Sequence, residues 1–485
     1  MATDLVRGQP PGQALYKTVI ATKLAEYLGV NSAERATAYF ATLLRAAGCT
    51  ATSHEFAMYL GGNDVAVRFG GDAVDTDDLD QLSRLLTSLG KDGMDPAEAM
   101  GVVAKGSRAD REVGGRVVTR LGLGESVADS VRHIFERWDG QGVPTGVAGE
   151  DIPQATRIGH VASAAVMFTQ SRGRPEAIST LKKWSGRVLD PTITAMFLAH
   201  ADELLASLDV PDSWQAVLAA EPRPWRIVGE ESLDDICSVF GDFVDLKTPF
   251  LLGHSARVAR LAEGAARALQ MSEDDCVMLR RTGFLHDLGR VGISTGIWEK
   301  PSPLGTLEME HVRLHPYHTE RILERSALFK SLARLAGLHH ERVDGSGYYR
   351  GLPGSLLDRP ARVLAAADAC AELLEDRPGR KALSPDAAAK ELAKEALDPD
   401  AVHAVLQVAG AKSAEVGRHG PAGLTRREVE VLQLLARGQS LKRIAEQLVI
   451  SPSTAHTHAA HIYEKAAIST RAGAALFAME HGLIG

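Results

Sequence analysis

The sequence contains no run that approaches 18 uninterrupted apolar residues, which excludes a membrane-spanning helix. Period-two alternation of polar and apolar residues is scarce, so an all-α fold is expected. Only four cysteines occur, Cys49, Cys237, Cys276 and Cys370, without paired spacing, which points to reduced thiols and not to a disulfide framework. No charged-then-apolar leader opens the sequence, and a cytoplasmic location is expected. There is no excess of basic charge either. A net charge of −8 and a pI near 6.1 exclude wholesale coating of nucleic acid and leave room for a local basic patch.

What is present is 485 residues with 45% apolar and 24% charged side chains, ordinary for globular protein and too long for one core. About three domains are expected. Residues 1–208 read as helices, interrupted by an acidic, glycine-containing loop at 61–80 and a turn-rich stretch at 136–153. Residues 209–231 carry Pro211, Pro222 and Pro224 and read as a linker. Helical patterning returns over 232–410, broken at 299–305 and 344–354. A short linker at 411–423, with Gly417, Gly420 and Pro421, leads to a compact helical tail at 424–485.

Two of these regions repeat one another. Gly12-Gln13 aligns on Gly253-His254, and the register runs without a gap to Leu44-Arg45 on Leu285-His286. Further on, Glu136-Arg137-Trp138-Asp139-Gly140-Gln141-Gly142 mirrors Glu341-Arg342-Val343-Asp344-Gly345-Ser346-Gly347. Residues 136–159 and 341–364 share eight identities in 24, and Leu189-Asp190-Pro191 returns as Leu397-Asp398-Pro399. Shared helix propensity explains an apolar match but not this glycine and aspartate punctuation. Duplication does.

The second copy holds His254, His286, Asp287, His315, His339, His340 and Asp368, each expected on a helix. A lone histidine on an apolar face is more often a satisfied core residue than a ligand. Seven histidines and aspartates in single, pair, single, pair, single order can instead converge in a bundle core on one or two cations. Neutral imidazole beside carboxylate suits iron, manganese or zinc. Two cations need a bridging carboxylate, a role open to Asp287, and such a pair suits in-line phosphoryl displacement.

The motifs Gly253-His254-Ser255, Leu285-His286-Asp287-Leu288-Gly289, Lys300-Pro301, Glu310 to His315-Pro316, His339-His340-Glu341-Arg342, Asp344-Gly345-Ser346-Gly347-Tyr348 and Ala367-Asp368-Ala369 resemble those of the HD-GYP branch of the HD phosphohydrolase family over residues 245–380. The resemblance implies an all-helical fold, a bi- or trinuclear iron or manganese centre held by the seven residues above, and hydrolysis of cyclic di-GMP or a related cyclic dinucleotide. Phe250 stands where trinuclear members place a carboxylate, which favours two divalent ions. The family lysine three residues after its aspartate is here Arg290, a residue that keeps charge for phosphate contact but is not deprotonated. Asp287 and Arg290 are thus the expected catalytic pair. Tyr348 matches the tyrosine near the substrate. Arg377, Arg380 and Lys381 stand at the distance of the family's phosphate-contacting basic residues, and equally fit a solvated helix end. The family Gly-Tyr-Pro is Gly347-Tyr348-Tyr349, for which a looser loop is expected.

Reading the repeat in register, the first copy has Gln13, Arg45, Ala46, Ile134, Phe135 and Ser163 where the second has ligands. It resembles a degenerate HD-type domain, retained for packing, dimerisation or ligand sensing. His133 and His160 fall at no ligand position.

In the tail, Thr425 to Glu428 forms a capping-box start, Gly438 a helix stop, and Ser440 and Ser451-Pro452 further starts. This is the plan of a helix-turn-helix, with a four-helix pairing module as the plainer alternative. Leu424-Thr425-Arg426-Arg427-Glu428, Ile444-Ala445-Glu446-Gln447-Leu448 and Ser451-Pro452-Ser453-Thr454 resemble the LuxR-type DNA-binding domain, which implies DNA binding by a homodimer with 451–465 as the recognition helix. Expected DNA contacts are Arg426, Arg427, Lys442, Arg443, Ser453, Thr454, His456, Thr457, His458 and Lys465. With seven Lys/Arg against five Asp/Glu over 424–485, affinity should be modest and salt-dependent.

The expected protein is all-α, with two tandem HD-type helical domains and a small four-helix LuxR-type domain. It is a transcription regulator whose metal-bearing second copy senses and hydrolyses a cyclic dinucleotide. The alternatives are a dinuclear phosphohydrolase acting on another phosphoester and an HD-type diiron oxygenase.

Overall fold

The computed structural model describes every residue except 73, 76–77, 92–93, 411–419 and 485. The protein is all-α: among the described residues there is no strand, only two isolated bridges, and no helix is long and apolar enough to cross a membrane. It divides into two units, Met1–Ser232 and Leu233–Gly485.

In the first unit, helices Gln13–Tyr27 and Gln154–Arg172 bury Ile20, Leu24, Val161 and Phe168 against Leu181 and Phe197. Each such side chain contributes about 1.5–3 kcal/mol when fully withdrawn from water. Two expectations change here. The stretch 61–80, read as a loop from its glycines and aspartates, forms helix Asp64–Asp72, because Val67 packs against Phe56, Leu60, Leu82 and Leu86. Within 209–231, read as linker, helix Ser213–Ala219 is capped by Asp212 and buries Val217 against Leu15, Val19 and Tyr39. Tertiary burial decides both, since neither segment shows a long periodic pattern.

In the second unit, helices His254–Ala268, Glu273–Leu285 and Arg359–Leu373 share a core of Val258, Leu261, Leu279, Val363 and Ala367, closed by Leu335 and Val405. The duplication shows in bonds as well as letters. Asp4 accepts from the backbone amides of Gly12 and Ala14, both at 2.9 Å; in the same register Asp245 accepts from the Ser255 amide and hydroxyl at 2.9 and 2.8 Å. Arg157 pairs with Asp190 at 2.5 Å, and Arg362 with Asp398 at 3.0 Å. The repeat therefore reaches upstream of the first residue at which the sequence alignment becomes visible.

The last four helices, Arg426–Ala436, Leu441–Leu448, Pro452–Lys465 and Arg471–Glu480, pack around Leu432, Ile444, Ala455, Ile462 and Leu476. Their caps are those read from sequence: the Thr425/Glu428 capping box, Ser440 accepting from the Arg443 amide and Ser451 from the Thr454 amide. Val449, with φ of 54°, makes the turn between the second and third helices. The expected linker 411–423 lies largely outside the described residues.

Candidate metal centre

Each candidate ligand is expected on a helix: His254 and His315 open one and Asp368 lies inside one, whereas His286, Asp287, His339 and His340 follow the ends of Glu273–Leu285 and Lys330–Ala336. His254 opens its helix after Gly253 (φ 78°), and His286 terminates Glu273–Leu285. His315 opens helix His315–Leu323, and His339 and His340 follow helix Lys330–Ala336. The reason is chemical. The last carbonyls of a helix have no intrahelical donor, and three of the imidazoles supply one. The Nδ1 of His286, His315 and His339 lies 2.8, 2.6 and 2.6 Å from the carbonyls of Gly283, Val312 and Ala336. A proton held there leaves each Nε2 lone pair directed inward.

Inward, the groups converge around Asp287. Its Oδ2 lies 3.4 Å from His254 Nε2 and 3.2 Å from His286 Nε2, while its Oδ1 lies 3.4 Å from His315 Nε2 and 3.5 Å from His339 Nε2. Asp368 Oδ1 joins the first set, at 3.3 Å from His254 and 3.5 Å from His286, and its Oδ2 lies 3.6 Å from His340 Nδ1. Two ligand groups result, His254/His286/Asp287 and His315/His339/His340, with ligand atoms in each within 4.8 Å of one another. Both Asp287 oxygens, His254 Nε2, His286 Nε2, His340 Nε2 and Asp368 Oδ1 are buried without a hydrogen-bond partner. Buried polar atoms left this way are costly, and cations are what this donor set fits.

The electrostatics agree. Burial pushes the Asp287 and Asp368 carboxyls up, but Arg290 and the facing imidazoles at Asp287, and the imidazoles of His254, His286 and His340 at Asp368, outweigh it and hold both well below the ordinary range. Burial likewise opposes charge on His286, yet Asp287 and Asp368 raise it to about 9, so these carboxylates draw a proton to Nε2 wherever no cation takes its lone pair. Two permanently ionised, buried carboxylates demand positive charge. On the other side, burial drops His315 to about 4, which keeps it a neutral donor.

Arg290 Nε is 2.8 Å from Asp287 Oδ2 and Nη2 is 3.2 Å from Glu372, with the guanidinium 4.7 Å from the Trp298 ring centroid. It is 1% exposed, and its carboxylate neighbours raise it against burial, so it stays charged. Tyr348 stacks on His340 at 4.6 Å and lies under Arg313; burial raises its hydroxyl, which remains protonated.

The expected substrate-contacting residues of the rim have partners within the chain. Arg377 pairs with Glu375 at 3.2 Å, Arg380 donates to the carbonyl of Leu373 at 3.0 Å, and Lys381, 87% exposed, pairs with Asp376. These bonds brace the chain just beyond helix Arg359–Leu373. The loop at Tyr349 is not loose. Glu320 accepts from Tyr349 Oη and from Arg350 at 2.6 Å, and Glu341 accepts from the amides of Arg350 and Leu352 at 2.9 and 2.8 Å. The first copy repeats that clamp with Glu136 and the amides of Thr145 and Gly146. The peptides Val143-Pro144 and Tyr348-Tyr349, equivalent in the repeat, are both cis.

Sequence reasoning missed Glu375, whose carboxylate is 3.0 Å from His254 Nδ1 and also holds Arg257 and Arg377. Its only signal is its place two helical turns beyond Asp368. Glu372 and Trp298, which flank Arg290, carried none.

On the C-terminal domain, helix Pro452–Lys465 exposes Ser453, Thr454, His456 and Thr457 on one face and buries Ala455, Ala459 and Ile462 on the other; His458 is half-buried. Arg426, Lys442 and Arg443 are exposed. Arg427 is tied to Glu430 at 2.6 Å and to the Leu448 carbonyl. Lys465, also an expected phosphate contact, donates to Glu428 at 2.8 Å within the domain.

Fold and site define an all-helical protein with a buried His/Asp metal-binding cluster and a helix-turn-helix segment. The profile of the HD domain matches residues 110–193 and 238–401, and that of bacterial regulatory proteins of the luxR family matches 422–478. The chain is 31% identical to 3'3'-cGAMP-specific phosphodiesterase 3 of Vibrio cholerae over 421 residues, 82% of this chain and 90% of that protein. It is 35% identical to the cyclic di-GMP phosphodiesterase response regulator RpfG of Xanthomonas campestris over 156 residues, 31% of this chain and 41% of that one. A crystal structure of a cyclic GMP-AMP specific phosphodiesterase of V. cholerae covers 85% of this chain and 96% of its own, with TM-score 0.59 and 26% identity. The chain belongs to the HD-domain family, in its HD-GYP branch, with a degenerate first copy and a C-terminal LuxR-type domain.

Proposed function

We propose that the protein is a cytoplasmic, homodimeric transcription regulator whose second HD copy hydrolyses a cyclic dinucleotide at a two-cation centre, with nucleotide state coupled to DNA binding. The observation that carries this is the division of the Asp287 carboxylate, one oxygen facing His254 and His286 and the other His315 and His339. His254, His286 and Asp368 would hold one ion and His315, His339 and His340 the other, with Asp287 shared. Two such ions, iron or manganese before zinc, supply Lewis-acid activation of water and neutralise phosphoryl oxygens. Arg290 provides a fixed charge for the phosphate and moves no proton. Tyr348, protonated and seated on His340, can donate to a phosphate oxygen or orient the nucleotide.

Metal analysis of anaerobically purified protein, joined to product analysis with cyclic di-GMP and 3'3'-cGAMP, tests the reading. Two ions per chain and a linear product support it. No bound metal overturns it. DNA affinity that ignores every cyclic dinucleotide would overturn the coupling alone.

A further inference from the structure

The first copy lost its ligands but not its hollow. At the place of the second copy's metal centre lies a cavity of about 270 Å³ whose lining includes Arg45, Ala46, Ile134, Phe135 and Ser163, the counterparts of His286, Asp287, His339, His340 and Asp368. Thr42 and Ser163 also line it; their hydroxyls are buried without a hydrogen-bond partner, that of Thr42 close against Gly159. Its positive side chains include Arg7, Lys17 and Arg45. Its carboxylates are already engaged, Asp4 by the amides of Gly12 and Ala14, and Glu136 by Thr145 and Gly146. Arg45 is steadied by donating to the Ile134 carbonyl at 2.8 Å. A second cavity, also about 270 Å³, adjoins it across Arg7, Arg45, Gly71 and Phe135 and is walled mainly by apolar side chains such as Phe56, Leu82 and Met100.

We propose that this hollow is a binding site for a phosphate-bearing nucleotide, with the phosphate against Arg45 and the flat base in the adjoining apolar cavity. The exchange of histidine for arginine at position 45 replaces bound cations by a covalently attached one. Where the second copy, on the reading above, would meet phosphoryl oxygens through metal, the first would meet them through a guanidinium, which binds without hydrolysing. The volume, small for a ligand site, suits about one nucleotide unit. Arg7 and Lys17 on the same lining add positive charge for the remaining phosphate oxygens. The site stands on the first copy alone and does not depend on what the second copy hydrolyses.

The test uses the full chain carrying Asp287→Ala, which disables the second copy's ligand cluster, and equilibrium dialysis with 5′-GMP. One equivalent should bind per chain, and guanosine, which lacks the phosphate, should bind at least about tenfold more weakly. Adding Arg45→Gln, which keeps a donor for the Ile134 carbonyl and removes the charge, should weaken 5′-GMP binding roughly tenfold to a hundredfold. Ala46→Phe should block the site by filling it, and its thermal melt reports whether the unit still folds. No 5′-GMP bound by the Asp287→Ala chain, guanosine bound as well as 5′-GMP, or undiminished binding by Arg45→Gln would each overturn the proposal.

Discussion

Replacing Glu375 by glutamine removes one negative charge from behind His254 while keeping a side chain of the same size. The carboxylate accepts from His254 Nδ1 at 3.0 Å and is 8% exposed, so its charge acts on the imidazole with little screening. It raises the basicity of Nε2, the atom aimed at Asp287 and Asp368. Loss of such an outer partner costs about 10- to 100-fold in metal affinity, or roughly 1.4–2.7 kcal/mol. The effect should be one-sided. The imidazoles of His315 and His339 are held by backbone carbonyls that the substitution does not touch. Arg257 and Arg377, about 20% exposed, can turn to water, so the fold should hold. Competitive chelation of the loaded protein should therefore release one ion per chain at lower chelator concentration and the other as before. Equal weakening of both ions, or affinity unchanged within about twofold, would refute the reasoning.

Three further outcomes follow from the same geometry. Arg290→Met keeps bulk against Trp298 but removes the charge beside Asp287; hydrolysis should fall about a hundredfold or more, with metal content kept, and unchanged turnover would deny Arg290 a role. Burial opposes ionisation of Glu428, but Lys465 and the capping bonds of Thr425 outweigh it and lower its pKa from 4.5 to about 2. Because the folded value lies below the unfolded one, this stabilisation is present above pH 4.5 and lost as pH falls towards 2. It amounts to at most about 3–4 kcal/mol, and acid unfolding of the C-terminal domain in Glu428→Gln should show a flatter pH dependence over that window. Arg443→Ala should weaken DNA binding uniformly across sequences and reduce the salt slope by about one, whereas Lys465→Ala should act through domain stability.

Much of this protein was legible in the letters. Helix periodicity and caps are local, so the all-α class and the four C-terminal helices with their Thr425, Ser440 and Ser451 starts follow from neighbours a few residues apart. The duplication was legible because glycine and aspartate serve turn and cap geometry that helix propensity cannot imitate. The candidate ligand set could be proposed because the histidines and aspartates of the second copy stand in a distinctive order. Other features required the chain to be folded. That the histidines stand at helix ends is decided by carbonyls left over when packing stops a helix, a matter of one or two residues. Glu375 meets His254 across 121 positions of sequence, and no local pattern encodes that distance. Arg377, Arg380 and Lys465 are expected to meet phosphate, and because charge in sequence carries no direction, only the fold shows that they also have partners inside the chain: Glu375, the Leu373 carbonyl and Glu428. Sequence determined which chemical groups the chain possesses and how its short segments coil. Only tertiary structure decided which groups share a dielectric cavity and which are spent on one another, because burial and long-range contact set the energy of charge.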